Sequence, residues 1–233
     1  MQRFIFYISS LLLVSSVLQG SEVHQSVAAR TGAEIKATLG ARWVNEVKYN
    51  LEIDNFNLRA GGLIAPGWSL LSAYQLEGGY NQLFTQALSV HLKFLNRAYQ
   101  NTNVADNSII PYFSWREKHF EADLGINLRF TSFNPAYTHL IFYYPSDLFQ
   151  PHVLFRVAGY LIWDTFRLGI ELKNCDWNYA GNTYEISYHI DATWQSDKNW
   201  KLLANLGVTP SGVNGLSVIY NRFTFVAGAE FQF

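Results

Sequence analysis

The chain has a single cysteine, Cys175, which excludes an intramolecular disulfide framework and any cysteine-based zinc site. It has almost no net charge, -1 over 233 residues, which argues against a nucleic-acid partner. Beyond the N-terminus it lacks any continuous apolar run long enough for a transmembrane helix. It also lacks an internal sequence repeat. His24, His91, His119, His139, His152 and His189 show no metal-ligand spacing, so neither a metal nor a cofactor is expected.

What the chain does have is aromatic residues, 16% of the total, more than an ordinary core needs and suited to the interfacial belts of a membrane barrel. Residues 1–20 read as a secretory signal peptide. Arg3 supplies the positive start, Phe4 to Leu18 the apolar stretch, and Gly20 or Ser21 the cleavage region. No cysteine follows that stretch, so a lipid anchor there is not expected. Residues 21–233 are expected to form one exported domain held by its fold alone.

From Ala33 onward, apolar and polar residues alternate with a period of two, the signature of strands with one greasy and one wet face. The alternation predicts strands over 33–43 and 47–54, joined by a turn at Val44-Asn45-Glu46 that sets Trp43 opposite Val47. A short preceding strand over 22–29 ends in a turn at Arg30-Thr31-Gly32. Further hairpins turn at Asn81-Gln82-Leu83, Arg116–His119, Asp164-Thr165 and Gln195–Asn199. Longer connections run over 60–68, 96–108, 131–151, 178–182 and 209–215. A bulge at Asn221-Arg222 merges Leu216–Tyr220 with Phe223–Phe233 into one strand. Aromatics gather beside the short turns: Trp43, Tyr80, Phe84, Trp115, Phe120, Trp163, Phe166, Trp194 and Trp200.

The last eleven residues carry the pattern most cleanly. Phe223, Phe225, Ala227, Ala229, Phe231 and Phe233 alternate with Thr224, Val226, Gly228, Glu230 and Gln232. A tilted strand of about this length crosses a bilayer core. The segment resembles the C-terminal strand of bacterial outer-membrane β-barrels. That resemblance implies an outer-membrane location among lipids. It also implies recognition of Phe223, Phe225, Phe231 and Phe233 as a signal by the barrel-assembly machinery. The expected fold is all-β: an antiparallel up-and-down transmembrane barrel of about twelve strands, with ten the other count left open.

In such a barrel the apolar face meets lipid and the charged face lines the interior. A soluble barrel would have to bury more large side chains than one small interior holds. The expected pore-lining residues are Glu52, Asp54, Glu77, His91, Lys93, Glu121, Asp123, Arg129, Arg156, Arg167, Glu171, Lys173, Glu185, His189 and Asp191. Lys36 is expected opposite Asp54, and Arg156 opposite Lys173 with Glu171 one step away. Arg156, Arg167 and Lys173 form a basic patch that faces an acidic one at Glu121 and Asp123.

The function expected is a narrow, weakly selective diffusion channel for small solutes, porin-like and not an enzyme. One alternative is a plugged structural or adhesive scaffold. The other is an outer-membrane lipid hydrolase built on Glu185, Ser187, His189 and Asp191, which share one strand face. Alternate strand residues stand about 7 Å apart, which weighs against a direct Ser187–His189 contact. Across the turn, Ser187 is expected opposite Gly207 and His189 opposite Asn205. The greasy segment 131–151, with Tyr137, Phe142, Tyr143 and Tyr144, is expected to cap the barrel.

Overall fold

The computed structural model describes residues 22–36, 40–64, 73–99, 104–133, 149–174, 186–196, 199–210 and 220–233. The expected signal peptide, Cys175, Glu185 and most of segment 131–151 lie outside them. Twelve antiparallel strands close into one barrel, each paired with its sequence neighbours and the first with the last. They are β1 (Val23–Lys36), β2 (Gly40–Ile53), β3 (Phe56–Ile64), β4 (Ala73–Leu83), β5 (Leu88–Tyr99) and β6 (Val104–Glu117), followed by β7 (Phe120–Phe133), β8 (Phe149–Trp163), β9 (Phe166–Lys173), β10 (Ser187–Gln195), β11 (Trp200–Pro210) and β12 (Tyr220–Gln232).

The expected strand count holds, but through two errors that cancel. Residues 22–54 form two long strands rather than three, and the expected loop over 60–68 contains most of a strand, β3. No turn exists at Arg30-Thr31-Gly32 or at Val44-Asn45-Glu46. Thr31 and Asn45 break the apolar alternation, yet they stand directly opposite each other on the outer face of β1 and β2, and their side chains hydrogen-bond at 2.8 Å. A polar pair satisfied in this way needs no water, so the strands run straight through it. Gly32 is part of the same arrangement: a Cβ there would collide with the Phe225 carbonyl oxygen of β12.

The reversal falls instead at Asp54-Asn55, where Asp54 adopts φ +49°, a left-handed conformation that Asp tolerates in tight hairpins. Trp43 therefore pairs with Ala33 and not Val47, and Lys36 pairs with Gly40 and Arg222 and not Asp54. Trp43 consequently sits at the far end from the short turns. Other boundaries move less: the β4–β5 turn is at 84–87 rather than 81–83, and Ser187 pairs with Lys173 while His189 pairs with Gly207. The turn at Asp164-Thr165 stands as expected. The register slips between Thr209 and Pro210, opposite Asn221, which places a bulge in β12 where one was expected, while residues 216–219 of the expected strand lie outside the described residues.

Burial runs opposite to that of a soluble protein. Leu124, Val153 and Ile170 are 60%, 65% and 68% exposed on the outside, while Glu34, Glu77, His91, Lys93, Glu171 and Arg222 are buried inside. A predominantly apolar exterior of this kind is stable only against hydrocarbon. Aromatic pairs ring the short-turn end: Phe56–Tyr80, Trp115–Phe120, Trp163–Phe166 and Trp200–Phe231, with centroids 5.0, 6.3, 5.8 and 4.8 Å apart. Phe130 and Phe149 meet at 4.9 Å toward the other end. The ten residue steps from Phe120 to Phe130 span roughly 25 Å along the axis at a tilt of about 40°, the height of a barrel's apolar band. Chain parity thus produces both a membrane-facing wall and a charged lumen.

Candidate functional site: the lumen

Every described residue expected to line the pore points inward. Thirteen lie on inward register positions of β2, β4, β5 and β7–β10, and Asp54 lies at the rim, where its carboxylate accepts the Glu22 amide at 3.2 Å. Parity survived the misplaced turns because a three-residue turn, like an uninterrupted strand, leaves residues four apart on the same face. The interior encloses a cavity of about 670 Å³ that opens toward the short turns.

On the β7–β9 wall, Arg156 is the hub. It donates to Glu121 (2.7 Å), Asp123 (3.3 Å) and the Tyr160 hydroxyl (2.7 Å), and its Nε lies 3.1 Å from Glu171. Arg156 pairs with Lys173 in register, as expected, and Glu171 separates the two cations by binding Lys173 at 2.5 Å. Arg167 stacks on the Tyr160 ring at 3.6 Å and reaches Glu121 at 3.7 Å. Ser114 donates to Asp123. The expected basic patch facing an acidic patch across the pore is therefore corrected. Adjacent strands bring the two signs into contact along one wall, where they neutralise each other: three cations, Arg156, Arg167 and Lys173, meet three carboxylates, Glu121, Asp123 and Glu171.

On the β1–β5 wall, Arg30, Glu46 and Arg59 are residues that the sequence reading missed. Arg59 and Lys93 both hold Glu77, at 3.3 and 2.9 Å, and Lys48 holds Glu46 at 2.8 Å. Arg30 and Glu46 stand opposite each other, concealed in sequence by the false turns. Tyr112 stacks on His91 at 4.5 Å and is hidden in sequence beside Phe113, where two adjacent aromatics blur the alternation.

Inward glycines let the long side chains lie flat. Tyr160 faces Gly169, Tyr112 faces Gly125 and Asn57 faces Gly79, and a Cβ at any of the three glycines would strike the opposing side chain. Ile110 and Leu154 make a small apolar contact beside Tyr112. The described ion pairs run within a wall: Arg59 and Lys93 to Glu77 on one side, Arg156 to Glu121, Asp123 and Glu171 on the other.

Ser187 and His189 do meet, contrary to the spacing argument. His189 lies 3.0 Å from the Ser187 hydroxyl and 3.2 Å from Asn205, whose amide donates to Asp191 at 2.5 Å. Side-chain rotation closes the gap that Cα spacing leaves. The arrangement recurs near the other end, where His91 lies 2.7 Å from Ser89 and 2.5 Å from Asn81. Ser187 also has the Lys173 carbonyl as an acceptor at 3.2 Å, and strand pairing surrounds both sets. In both sets two side chains hold the histidine, Ser187 and Asn205 for His189 and Ser89 and Asn81 for His91, which fixes the imidazole orientation.

No protein-family model matches the chain, and no curated protein sequence matches it. Solved structures do. The KdgM porin in complex with disordered oligogalacturonate superposes with a TM-score of 0.63 at 13% identity, over 89% of this chain and 99% of that one. The NanC porin gives 0.57 at 14% identity, over 88% and 98%. The COG4313 outer membrane channel from Pseudomonas putida F1 gives 0.55 at 10% identity, over 93% and 97%. Taken with the apolar exterior, the closed strand order and the charged interior, these likenesses identify the fold as a twelve-stranded antiparallel transmembrane β-barrel, similar to that of the outer-membrane porins compared.

Proposed function

We propose that the protein is a narrow diffusion channel for small hydrophilic solutes across the outer membrane. One observation carries this reading: the described ion pairs run along the wall, around a cavity of about 670 Å³. A plugged scaffold needs contacts that cross the lumen. The oligogalacturonate bound to the KdgM porin is a hydrophilic solute of the kind this reading requires. Seven cations (Arg30, Lys48, Arg59, Lys93, Arg116, Arg156 and Lys201) and six carboxylates (Glu52, Asp54, Glu77, Glu121, Asp123 and Glu230) line the cavity. That balance supports weak overall ion selectivity.

Planar-bilayer recording of the refolded protein tests the reading. Stepwise, ohmic conductance is expected, and a membrane that stays sealed at all protein concentrations would overturn it in favour of a plugged scaffold. The hydrolase alternative predicts lipid hydrolysis that disappears in Ser187→Ala. The braced, strand-enclosed histidine favours no such loss.

A further inference from the structure

The lumen is polar for most of its length, and its buried apolar exceptions gather at one level. Among the described residues, four aliphatic side chains larger than alanine are buried on inward positions. They are Val44, Ile110, Leu154 and Val226, at 2%, 0%, 3% and 8% exposure. They stand six to nine residues from the short-turn ends of their strands, Ile53, Glu117, Trp163 and Gln232. At about 3.3 Å per residue and a tilt of about 40°, that is roughly 15–23 Å along the barrel axis.

Two of them lie on each side of the barrel. Val44 of β2 and Val226 of β12 both pair with Gly32 of β1, which puts no side chain between them. Ile110 of β6 and Leu154 of β8 pack together across β7, where Gly125 stands opposite Leu154 and leaves the space open. β1 and β7 are six places apart in a closed ring of twelve strands, so the two clusters sit on opposite walls. The charged cavity of about 670 Å³ reaches from the short turns up to Arg30, Gln75 and Arg156, and none of the four apolar residues lines it. Its inner end therefore falls at the level of the apolar side chains.

We infer that Val44, Val226, Ile110 and Leu154 form an apolar constriction that selects permeating solutes by how tightly they hold water. In the cavity below, charged and amide side chains replace the water that an ion gives up. Between aliphatic side chains nothing replaces it. A strongly hydrated ion meets a barrier there that a weakly hydrated one largely escapes. Selection of this kind does not depend on the sign of the charge, so it coexists with the balanced charges of the cavity. The four side chains also offer no donor or acceptor, so the constriction discriminates without holding the solute.

This inference rests on the channel reading for conduction, and the test separates the two. Single-channel conductance is recorded in potassium fluoride, chloride and thiocyanate, each divided by the bulk conductivity of the same solution. The normalised conductance is expected to rise from fluoride to thiocyanate. Val44→Thr combined with Val226→Thr keeps side-chain volume and adds two hydroxyls, so it should raise the fluoride conductance and flatten the series. Leu154→Asn should do the same from the facing wall. The lipid-facing change Leu124→Val should leave the series unaltered, and heat-modifiable migration shows that each variant is folded. A second measurement needs no current. In a Cys175→Ser background in detergent, Val226→Cys is expected to react with a charged, water-soluble thiol reagent much more slowly than Asn50→Cys, which lines the cavity. A flat series in the unaltered protein, or an unchanged one in the folded threonine variant, would overturn the constriction and leave the channel standing. Equal labelling rates would overturn it whether or not current flows. A sealed membrane with slow labelling at position 226 would retain the apolar ring as a dry barrier and overturn the channel.

Discussion

Tyr160 of β8 stands directly opposite Gly169 of β9, and the phenol ring lies across the position a Gly169 side chain would take, 2.6 Å from its Cβ. Covering a strand glycine with a cross-strand aromatic recovers packing that the missing side chain forfeits. In this lumen it does something further: it holds a large ring and its Arg167 partner against the wall.

Gly169→Val should therefore push Tyr160 into the lumen. The expected result is a smaller single-channel conductance with folding retained, read in planar bilayers. Gly159→Ala, at an outward position with nothing within 4 Å, should leave conductance unchanged.

Arg156→Met removes the cation shared by Glu121, Asp123 and Glu171. Breaking a largely buried pair by deleting one partner costs roughly 3–5 kcal/mol. Denaturant unfolding in detergent should show a loss of that order. The reversal potential in a salt gradient should also move toward cation preference. Arg156→Lys should recover only part of the stability, since one ammonium cannot reach all four acceptors in the guanidinium's planar geometry.

On the outer face, Thr31→Val strands the Asn45 amide in hydrocarbon, at a cost of about 1–3 kcal/mol. Adding Asn45→Val should restore most of it. A double-mutant cycle on unfolding free energy measures the coupling. Additive single effects would mean that the pair does not interact in the folded barrel.

The aromatic signal on β12 has a structural counterpart. Phe231 packs on Trp200 at 4.8 Å and on Phe233 at 5.9 Å, and the Phe233 amide donates to Gln25 of β1 at 3.2 Å, where the barrel closes. Phe231→Ala should slow insertion into lipid vesicles and lower folded yield, measured by the heat-modifiable band. The outward Ala229→Val change should have little effect. The proposed role of Phe223, Phe225, Phe231 and Phe233 in assembly then rests on comparing these yields in cells and in vesicles.

Strand parity was decided by the sequence alone. Alternation assigns each residue to lipid or lumen, so Leu124 and Glu121 took their faces before any pairing was known. The class of fold follows from the same signal, because an apolar face that never closes into a core demands a bilayer. What the sequence could not decide was where β1 and β2 reverse. Thr31 and Asn45 each look like a turn residue alone, and only their meeting across the strands makes them a satisfied pair. Nor could it decide which charges neutralise one another. Arg156 and Glu121 are 35 positions apart, and their contact depends on the register of two strands joined by a long connection. Hydrogen-bond partners across a sheet are set by closure of the whole barrel, which fixes the slide of every strand at once. The single faces were therefore legible along the chain, while the pairings among the lumen charges belong to the assembled barrel.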